Sequence, residues 1–255
     1  MSSFASYPSL KDRAVFVSGG GSGIGASIVE HFAAQGAKVG FVDIDEAASK
    51  ALGAKIAAAG HPEPLFAKCD VRDIPAYQAA IIGMAARLGP FTGLINNAAR
   101  DDRHSLEEVT PAYWDERIAV NLRHQFFAIQ AVAPGMKKAG GGSIVNFSSV
   151  SYHTMTANLA VYQAAKAAVI GMTRGLARDL GPDKIRLNTI TPGWIMTQRQ
   201  IDLWLTPQAE AGLMEAQCLK EKLYPPDIAR MALWLGADDS RLVTAQNFVV
   251  DGGRM

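Results

Sequence analysis

Short apolar runs alternate along the 255-residue chain with longer segments whose apolar residues recur at helical spacing. The short runs are rich in β-branched and aromatic residues, which predicts buried strands. The predicted strands are 14–18, 38–43, 64–70, 92–97, 143–148, 185–190 and 246–251. The predicted helices between them are 23–35, 45–59, 73–88, 110–138, 160–180 and 226–236.

This alternation predicts an α/β fold, in which a mostly parallel, seven-stranded sheet carries helices on both faces. No Pro-, Gly- or Ser-rich break divides the chain, so we expect a single domain over 1–255. Segment 198–224 interrupts the last β–α step, and we interpret it as a small helical lid over a substrate.

Composition narrows the function classes. Hydrophobic residues make up 49% of the chain, charged residues 19%, and the net charge is +1. The longest basic run is the pair Lys137–Lys138, so neither nucleic acid nor a membrane surface is an expected partner. No signal peptide or apolar membrane span is visible, and Cys69 and Cys218 lack CxxC spacing, which predicts reduced thiols in a cytoplasmic protein. The five histidines show no metal-binding spacing, so we expect no metal.

The stretch SGGGSGIG, residues 18–25, directly follows the first strand and opens a helix. Glycines permit a tight turn and a close approach of the backbone to a ligand. The N–H groups at the start of the helix then face a pyrophosphate. The turn therefore predicts a doubly wound Rossmann domain that binds a dinucleotide through residues of this stretch: Gly19, Ser22, Gly23, Ile24 and Gly25.

Asp43 ends the second strand, eighteen residues after Gly25. A carboxylate at this distance binds the adenosine ribose and repels a 2′-phosphate, which predicts NAD and not NADP. The alternative is that Asp43 caps the helix that begins near Asp45.

With these motifs the chain resembles the short-chain dehydrogenase/reductase family. The glycine turn is similar to the family's TGxxxGIG, NNAA at 96–99 is similar to its NNAG, and PGWIMT at 192–197 matches its nicotinamide segment. Asn121, Ser149, Tyr162 and Lys166 match its catalytic tetrad in order and spacing. The chain resembles NAD-dependent aldose 1-dehydrogenases of the D-xylose type more closely still, in stretches such as ARDDRH (99–104) and TQRQ (197–200).

The tetrad's chemistry follows from its residue types. A free phenol, with a pKa of about 10, is a weak base at neutral pH. Positions i and i+4 of a helix are neighbours, so we expect the Lys166 ammonium to lie near Tyr162 and to favour its phenolate. Tyr162 then serves as general base towards an alcohol, and Ser149 holds the substrate oxygen.

The resemblance implies further roles. It implies that Lys166 holds the cofactor ribose and that Asn121 anchors a water that relays protons; the alternative for Asn121 is a self-satisfied helix residue. It implies cofactor contacts from strand ends and the loops after them: Asp70, Val71, Asn97, Ala98, Pro192, Gly193, Ile195 and Thr197, together with Tyr162 and Lys166. It also implies a homotetramer.

A sugar substrate is suggested by the polar loop 100–104 and by the residues that follow Gly193, as far as Trp204 in the lid segment. Amide and guanidinium donors beside an aromatic face suit a pyranose ring, whereas a lipid pocket is expected to be more apolar. The predicted substrate contacts are Arg103, Ser149, His153, Tyr162, Trp194, Gln198 and Arg199. The alternative is that loop 100–104 is a solvated turn.

The expected activity is therefore NAD-dependent oxidation of a cyclic aldose at C1 to the aldonolactone. A pentose such as D-xylose is favoured, while D-galactose, L-arabinose and L-fucose remain open. Two alternatives are kept. One is a reductase of the same fold that acts on another alcohol or ketone, such as a 3-oxoacyl group. The other is a non-catalytic protein that senses nucleotides.

Overall fold

Seven strands form one sheet in the computed structural model, which describes residues 4–255. They are β1 (Ala14–Ser18), β2 (Lys38–Asp43), β3 (Leu65–Lys68), β4 (Gly93–Asn96), β5 (Gly142–Phe147), β6 (Ile185–Pro192) and β7 (Asn247–Val250). The order is β3-β2-β1-β4-β5-β6-β7 and every pairing is parallel. The doubly wound Rossmann fold is confirmed, and the sheet, predicted as mostly parallel, is parallel throughout.

The helices lie between the strands as the sequence predicts. They are α1 (Gly23–Ala34), α2 (Glu46–Ala58), α3 (Ile74–Leu88), α4 (Pro111–Ile118), α5 (His124–Lys138), α6 (Ala160–Leu180), α7 (Gln198–Trp204), α8 (Pro207–Ala216) and α9 (Pro225–Gly236). Side chains of Asp45, Asp73 and Thr110 cap α2, α3 and α4, which fixes where these helices begin. None of the helices formed by residues 4–255 is long and apolar enough to cross a membrane.

Two apolar cores lie on opposite faces of the sheet. On one face, Phe32 of α1 and Leu233 of α9 pack among buried residues of β1 and β2. On the other, Tyr77 of α3 and Ile129 of α5 pack with Phe16 of β1. Because a parallel sheet is covered on both sides, its central strands consist almost wholly of buried residues.

The strand order reverses between β1 and β4, which are neighbours in the sheet although two strands separate them along the chain. Chain connections on either side of this switch point turn to opposite faces of the sheet. The carboxyl ends of the strands there open a crevice, the usual place for a ligand in a doubly wound fold.

The predicted helix 110–138 is continuous in direction but not in hydrogen bonding. Residues Ala119–Arg123 form a π-helical segment between α4 and α5. Asn121 lies within this segment, and its side-chain amide donates to the Arg117 carbonyl at 2.9 Å. A π segment displaces the backbone of a helix locally and is common at functional sites.

Segment 198–224 contains two short helices, α7 and α8, followed by a non-helical return to α9. Thr197 and Thr206 cap them, each accepting a hydrogen bond from a backbone amide of the first turn. A single parallel bridge between Ile195 and Leu223 closes the base of the segment. The two ends are thus held together, and Arg199, Gln200 and Trp204 of α7 line the crevice.

Candidate active site

A cleft of about 890 Å³ opens at the carboxyl ends of the strands. Its walls come from the glycine turn, the end of β2, the loops after β4 and β5, α6, and the segment that follows β6. Most residues predicted from the sequence line it: Gly19, Ser22, Ile24, Asp43, Asp70, Val71, Asn97, Ala98, Arg103, Ser149, Tyr162, Lys166, Pro192, Gly193, Trp194, Ile195, Thr197 and Arg199.

Five predicted residues do not line the cleft: Gly23, Gly25, Asn121, His153 and Gln198. Gly25 packs behind the turn, where a Cβ atom would lie 1.8 Å from the Gly19 carbonyl oxygen. His153 is exposed and its ring lies 4.0 Å from that of Tyr152. Gln198 donates to Asp202 at 2.7 Å. The structure therefore does not bring His153 and Gln198, two predicted substrate contacts, to the cleft wall.

The glycine turn is held by its backbone conformation and by side chains at its edge. Gly19 has a φ of +66°, and a Cβ atom there would lie 2.9 Å from Cα of Ala98. Asn97 donates from Nδ2 to the carbonyl of Gly19 at 2.9 Å, which ties the turn to the end of β4. Ser22 precedes α1 without capping it through its side chain. The first-turn amides of α1 thus lack a side-chain cap beside the cleft, as anion binding requires.

Asp43 is fixed beside the turn. Its carboxylate accepts hydrogen bonds from the amides of Gly21 at 2.8 Å and Asp45 at 2.9 Å. The cap of α2 is Asp45, which accepts from Ala48 at 3.0 Å, so the alternative role of Asp43 as a helix cap is wrong. No lysine or arginine in residues 4–255 forms an ion pair with Asp43.

Tyr162 and Lys166 stand one turn apart on α6 and both face the cleft. The Lys166 side chain is 1% exposed, and its Nζ lies 5.6 Å from the centre of the Tyr162 ring. Nζ donates to the carbonyl of Phe147, the last residue of β5, at 2.9 Å. Burial lowers the pKa of Lys166 to about 7.

Electrostatics at Tyr162 differ from the expectation. Burial raises the pKa of its phenol above the ordinary value, and the Asp101 carboxylate raises it further. A hydrogen bond with Ser149 and the charge of Arg103 act in the lowering direction. Lys166 was expected to be the cation that lowers this pKa, but its ammonium is directed to Phe147. Ser149 and Arg103 therefore offset part of the effect of burial, and the pKa of the phenol stays above its ordinary value.

Asn121 is satisfied within the protein. Its Nδ2 donates to the carbonyls of Arg117 and Arg100, and its Oδ1 accepts from the Arg100 amide at 2.9 Å. The side chain thus fixes the start of the loop after β4. Its predicted role in proton relay stays a prediction.

The substrate end of the cleft is built from side chains. Arg199 of α7 donates to Asp102 at 2.8 Å and reaches Asp101 at 3.4 Å. Gln200 donates to Asp101 at 2.8 Å and accepts from Trp194 at 2.9 Å. We call these five residues the latch, because they join α7 to the loop after β4. Loop 100–104 is not a solvated turn, since its acidic residues are paired across the cleft.

A family model of the short-chain dehydrogenase type, described as "Enoyl-(Acyl carrier protein) reductase", matches residues 19–254. The chain belongs to the short-chain dehydrogenase/reductase family.

Several relatives in this family match almost the whole chain. A probable galactose dehydrogenase of Rhizobium meliloti (strain 1021) is 51% identical, over 97% of this chain and 96% of that protein. A D-xylose 1-dehydrogenase of Caulobacter vibrioides is 49% identical, over 98% of this chain and 99% of that protein. A solved 3-oxoacyl-[acyl-carrier protein] reductase of Brucella melitensis with bound NAD superposes with a TM-score of 0.89 at 32% identity, covering 100% of this chain and 98% of that one.

The cleft is also lined by residues outside the predicted site set, among them Gln200, Trp204 and Arg254. Gln200 and Trp204 lie on α7. The sequence indicated Trp204 as an aromatic residue of the sugar pocket but gave no role to Gln200. Arg254, the penultimate residue, reaches the cleft because Asp251 accepts hydrogen bonds from the amides of Gly253, Arg254 and Met255 and so folds the C-terminus back. No motif or spacing in the sequence signals that turn.

Proposed function

We propose that this short-chain dehydrogenase oxidises a cyclic aldose at C1, with NAD as the acceptor, and releases the aldonolactone. The observation that carries the proposal is a single cleft with two different ends. One end holds the glycine turn and Asp43, the other holds the latch, and Ser149 and Tyr162 lie in the same cleft. The relatives named for D-xylose and galactose oxidation support a sugar as the substrate.

The residues at the first end fit NAD. The amides that open α1 suit the pyrophosphate, and the Asp43 carboxylate suits a free ribose and would repel a 2′-phosphate. Asp70, Val71, Ile195 and Thr197 line the same cleft and are proposed as further contacts. When bound, NAD supplies the hydride acceptor.

The chain's own residues handle the proton. Ser149 donates a hydrogen bond to the C1 hydroxyl oxygen and sets its position relative to Tyr162. The Tyr162 phenolate takes the proton of that hydroxyl. Lys166 binds the cofactor ribose and, with a pKa lowered to about 7, exchanges protons near neutral pH. Asn121 holds the π segment and the adjoining loop so that this arrangement is kept.

The substrate end favours a polyhydroxylated ring over an acyl chain or steroid. Charged and amide side chains surround it, and Trp194 and Trp204 add aromatic faces. We propose a pentose such as D-xylose as the preferred substrate, with D-galactose, L-arabinose and L-fucose as the other candidates.

We further propose a homotetramer in the cytoplasm. The outer face of α6 exposes small residues, among them Ala164, Ala168 and Gly171, which allow close approach of a second helix. Cys69 and Cys218 are both free thiols, and Cys218 is exposed, which suits a reducing compartment. Light scattering coupled to size exclusion tests the assembly; a monomer would contradict it.

The experiment that tests the activity is a panel of aldoses assayed with NAD and with NADP, followed by the absorbance of the reduced nicotinamide. We expect turnover of at least one aldose, with NAD preferred, and lactone as the product. Acetoacetyl thioesters with NADPH form the comparison arm. Turnover of the thioester without turnover of any aldose would overturn the proposal, and nucleotide binding without any turnover would favour a sensor.

A further inference from the structure

Two hydrogen-bond donors at the substrate end are buried without a partner in the protein. They are Nη1 of Arg103 and Nε1 of Trp204. Arg103 lies in the loop after β4, and Trp204 is the last residue of α7. Both line the cleft together with Ser149 and Tyr162.

The two side chains are in contact with each other. The guanidinium carbon of Arg103 lies 4.8 Å from the centre of the Trp204 ring, a cation–π distance. Arg103 also lies close enough to Tyr162 to lower the pKa of its phenol. The pair therefore spans from α7 to the neighbourhood of the reacting hydroxyl.

Other polar groups at this end are already engaged. Arg199 and Gln200 donate to the carboxylates of Asp101 and Asp102, and Trp194 donates to Gln200. These hydrogen bonds of the latch hold α7 against the loop after β4. Because these donors are engaged, we expect other donors to contact the substrate. Arg103 and Trp204 stand beside this latch, each with one buried nitrogen that has no partner in the protein.

Chemistry then restricts what meets these donors. Guanidinium and indole N–H groups donate and do not accept, so their partner must offer oxygen acceptors. A buried donor left unpaired costs about 1–3 kcal/mol, so a ligand that satisfies it gains affinity. A ring that carries hydroxyl oxygens on adjacent carbons offers two acceptors at once, whereas an alkyl or acyl chain offers none there.

Resting on the proposed function, we infer that Arg103 and Trp204 form a specificity-determining pair, which donates from Nη1 and Nε1 to two non-reacting hydroxyls of the aldose. One donor comes from the loop and the other from α7. A sugar bound to both therefore also joins the lid to the body of the protein. The pair selects for ring hydroxyls, while Ser149 and Tyr162 act on the hydroxyl at C1.

Trp204→Phe is the decisive variant, because it keeps an aromatic ring beside Arg103 and removes the N–H, together with part of the apolar surface of the indole. We expect its KM for the best aldose to rise about tenfold to a hundredfold, as loss of a buried hydrogen bond predicts, with the Kd for NAD unchanged. Trp114→Phe, at an exposed position on α4, is the matched control and should match wild type. Arg103→Met, which keeps an apolar stem, should likewise raise KM.

Monodeoxy forms of the same aldose identify the partner hydroxyl. Removing the hydroxyl that Trp204 binds should raise KM in wild type and have almost no further effect in Trp204→Phe. The other deoxy sugars should raise KM by the same factor in both proteins. Thermal melting confirms that each variant is folded.

The outcomes separate the two claims. Wild-type protein that turns over no aldose refutes the proposed function. The pair is refuted, while the activity stands, if wild type turns over aldoses and Trp204→Phe has an unchanged KM. It is also refuted if every deoxy sugar raises KM by the same factor in wild type and in Trp204→Phe.

Discussion

The two ends of the cleft are built in different ways. The cofactor end consists mainly of backbone groups, namely the glycine turn and the opening amides of α1, with the Asp43 carboxylate fixed beside them by a backbone amide. Parallel strands deliver these groups to one place. At the substrate end, side chains from the loop after β4 and from α7 pair across a gap of almost one hundred residues in sequence.

The difference teaches where specificity is easily changed. A backbone cradle is set by the sheet and tolerates few changes, as at Gly25, where a Cβ atom would strike the Gly19 carbonyl. A wall of exposed and half-buried ion pairs tolerates substitution, because each such pair contributes little to the free energy of folding. Relatives of one fold can therefore share a cofactor site and differ in substrate.

Loss of the Tyr162 hydroxyl, between the two ends, should have the largest effect. Tyr162→Phe removes the proposed general base and should lower kcat by several orders of magnitude while NAD still binds, because the phenol is not required for the pyrophosphate contacts. Steady-state kinetics and a fluorescence titration with NADH measure the two quantities. Tyr152→Phe, at a half-buried phenol beside His153 that does not line the cleft, is the matched control. Near-normal turnover in Tyr162→Phe would remove this residue from the mechanism.

Asp43→Asn tests the cofactor end alone. Hydrogen bonds to a charged group are worth about 1.5–3 kcal/mol, so affinity for NAD should fall about tenfold to a hundredfold. The repulsion of a 2′-phosphate is also removed, so the preference for NAD over NADP should shrink. Titration with both reduced cofactors measures this, and the exposed Asp239→Asn serves as control. An unchanged ratio of the two affinities would separate Asp43 from cofactor selection.

Burial of Lys166 makes the free energy of unfolding of the protein depend on pH. Its pKa is about 7 in the folded protein, against about 10.4 in an unfolded chain. Between these values the unfolded state binds more protons, so the free energy of unfolding rises with pH from about 7 upward. Lys166→Met should remove that rise, whereas the exposed Lys38→Met should retain it.

Urea midpoints at pH 7 and pH 9 measure the effect as a difference between proteins. Burial raises the pKa of Cys69 to about 11, which opposes the rise above pH 8.5, but this thiol is present in all three proteins and cancels. A wild type and a Lys166→Met variant with parallel pH dependence would show that the ammonium is solvated in solution.

The contrast also explains how much the sequence predicts. The strands and most helices lie within a few residues of their predicted bounds, because apolar runs and turn residues are local signals. The glycine turn and Asp43 come from the same βαβ unit, so their meeting follows from the fold. The π segment at Ala119–Arg123 was not predicted, since its apolar spacing is that of an ordinary helix.

The ion pairs and hydrogen bonds at the substrate end could not be predicted from the sequence. Arg199 was predicted to contact the sugar, yet its guanidinium is shared between Asp101 and Asp102. A charge in a sequence does not reveal which distant charge it meets. Arg254 was missed for the same reason, because only the folded C-terminal turn brings it to the cleft.

The smallest effect is expected from a change in the latch. This change should affect the binding of the sugar and not that of NAD. Arg199→Ala removes its contacts with Asp101 and Asp102, and the Arg199 side chain is 48% exposed. Exposed ion pairs contribute about 0.2–1 kcal/mol each, so KM for the aldose should rise by about twofold to tenfold, with the Kd for NAD unchanged. Added salt should raise the KM of wild type towards that of the variant, because salt screens these pairs. Lys137→Ala, which breaks a pair with Asp183 outside the cleft, is the control. Equal losses of sugar and NAD affinity in Arg199→Ala would mean that the two ends of the cleft are coupled and not independently built.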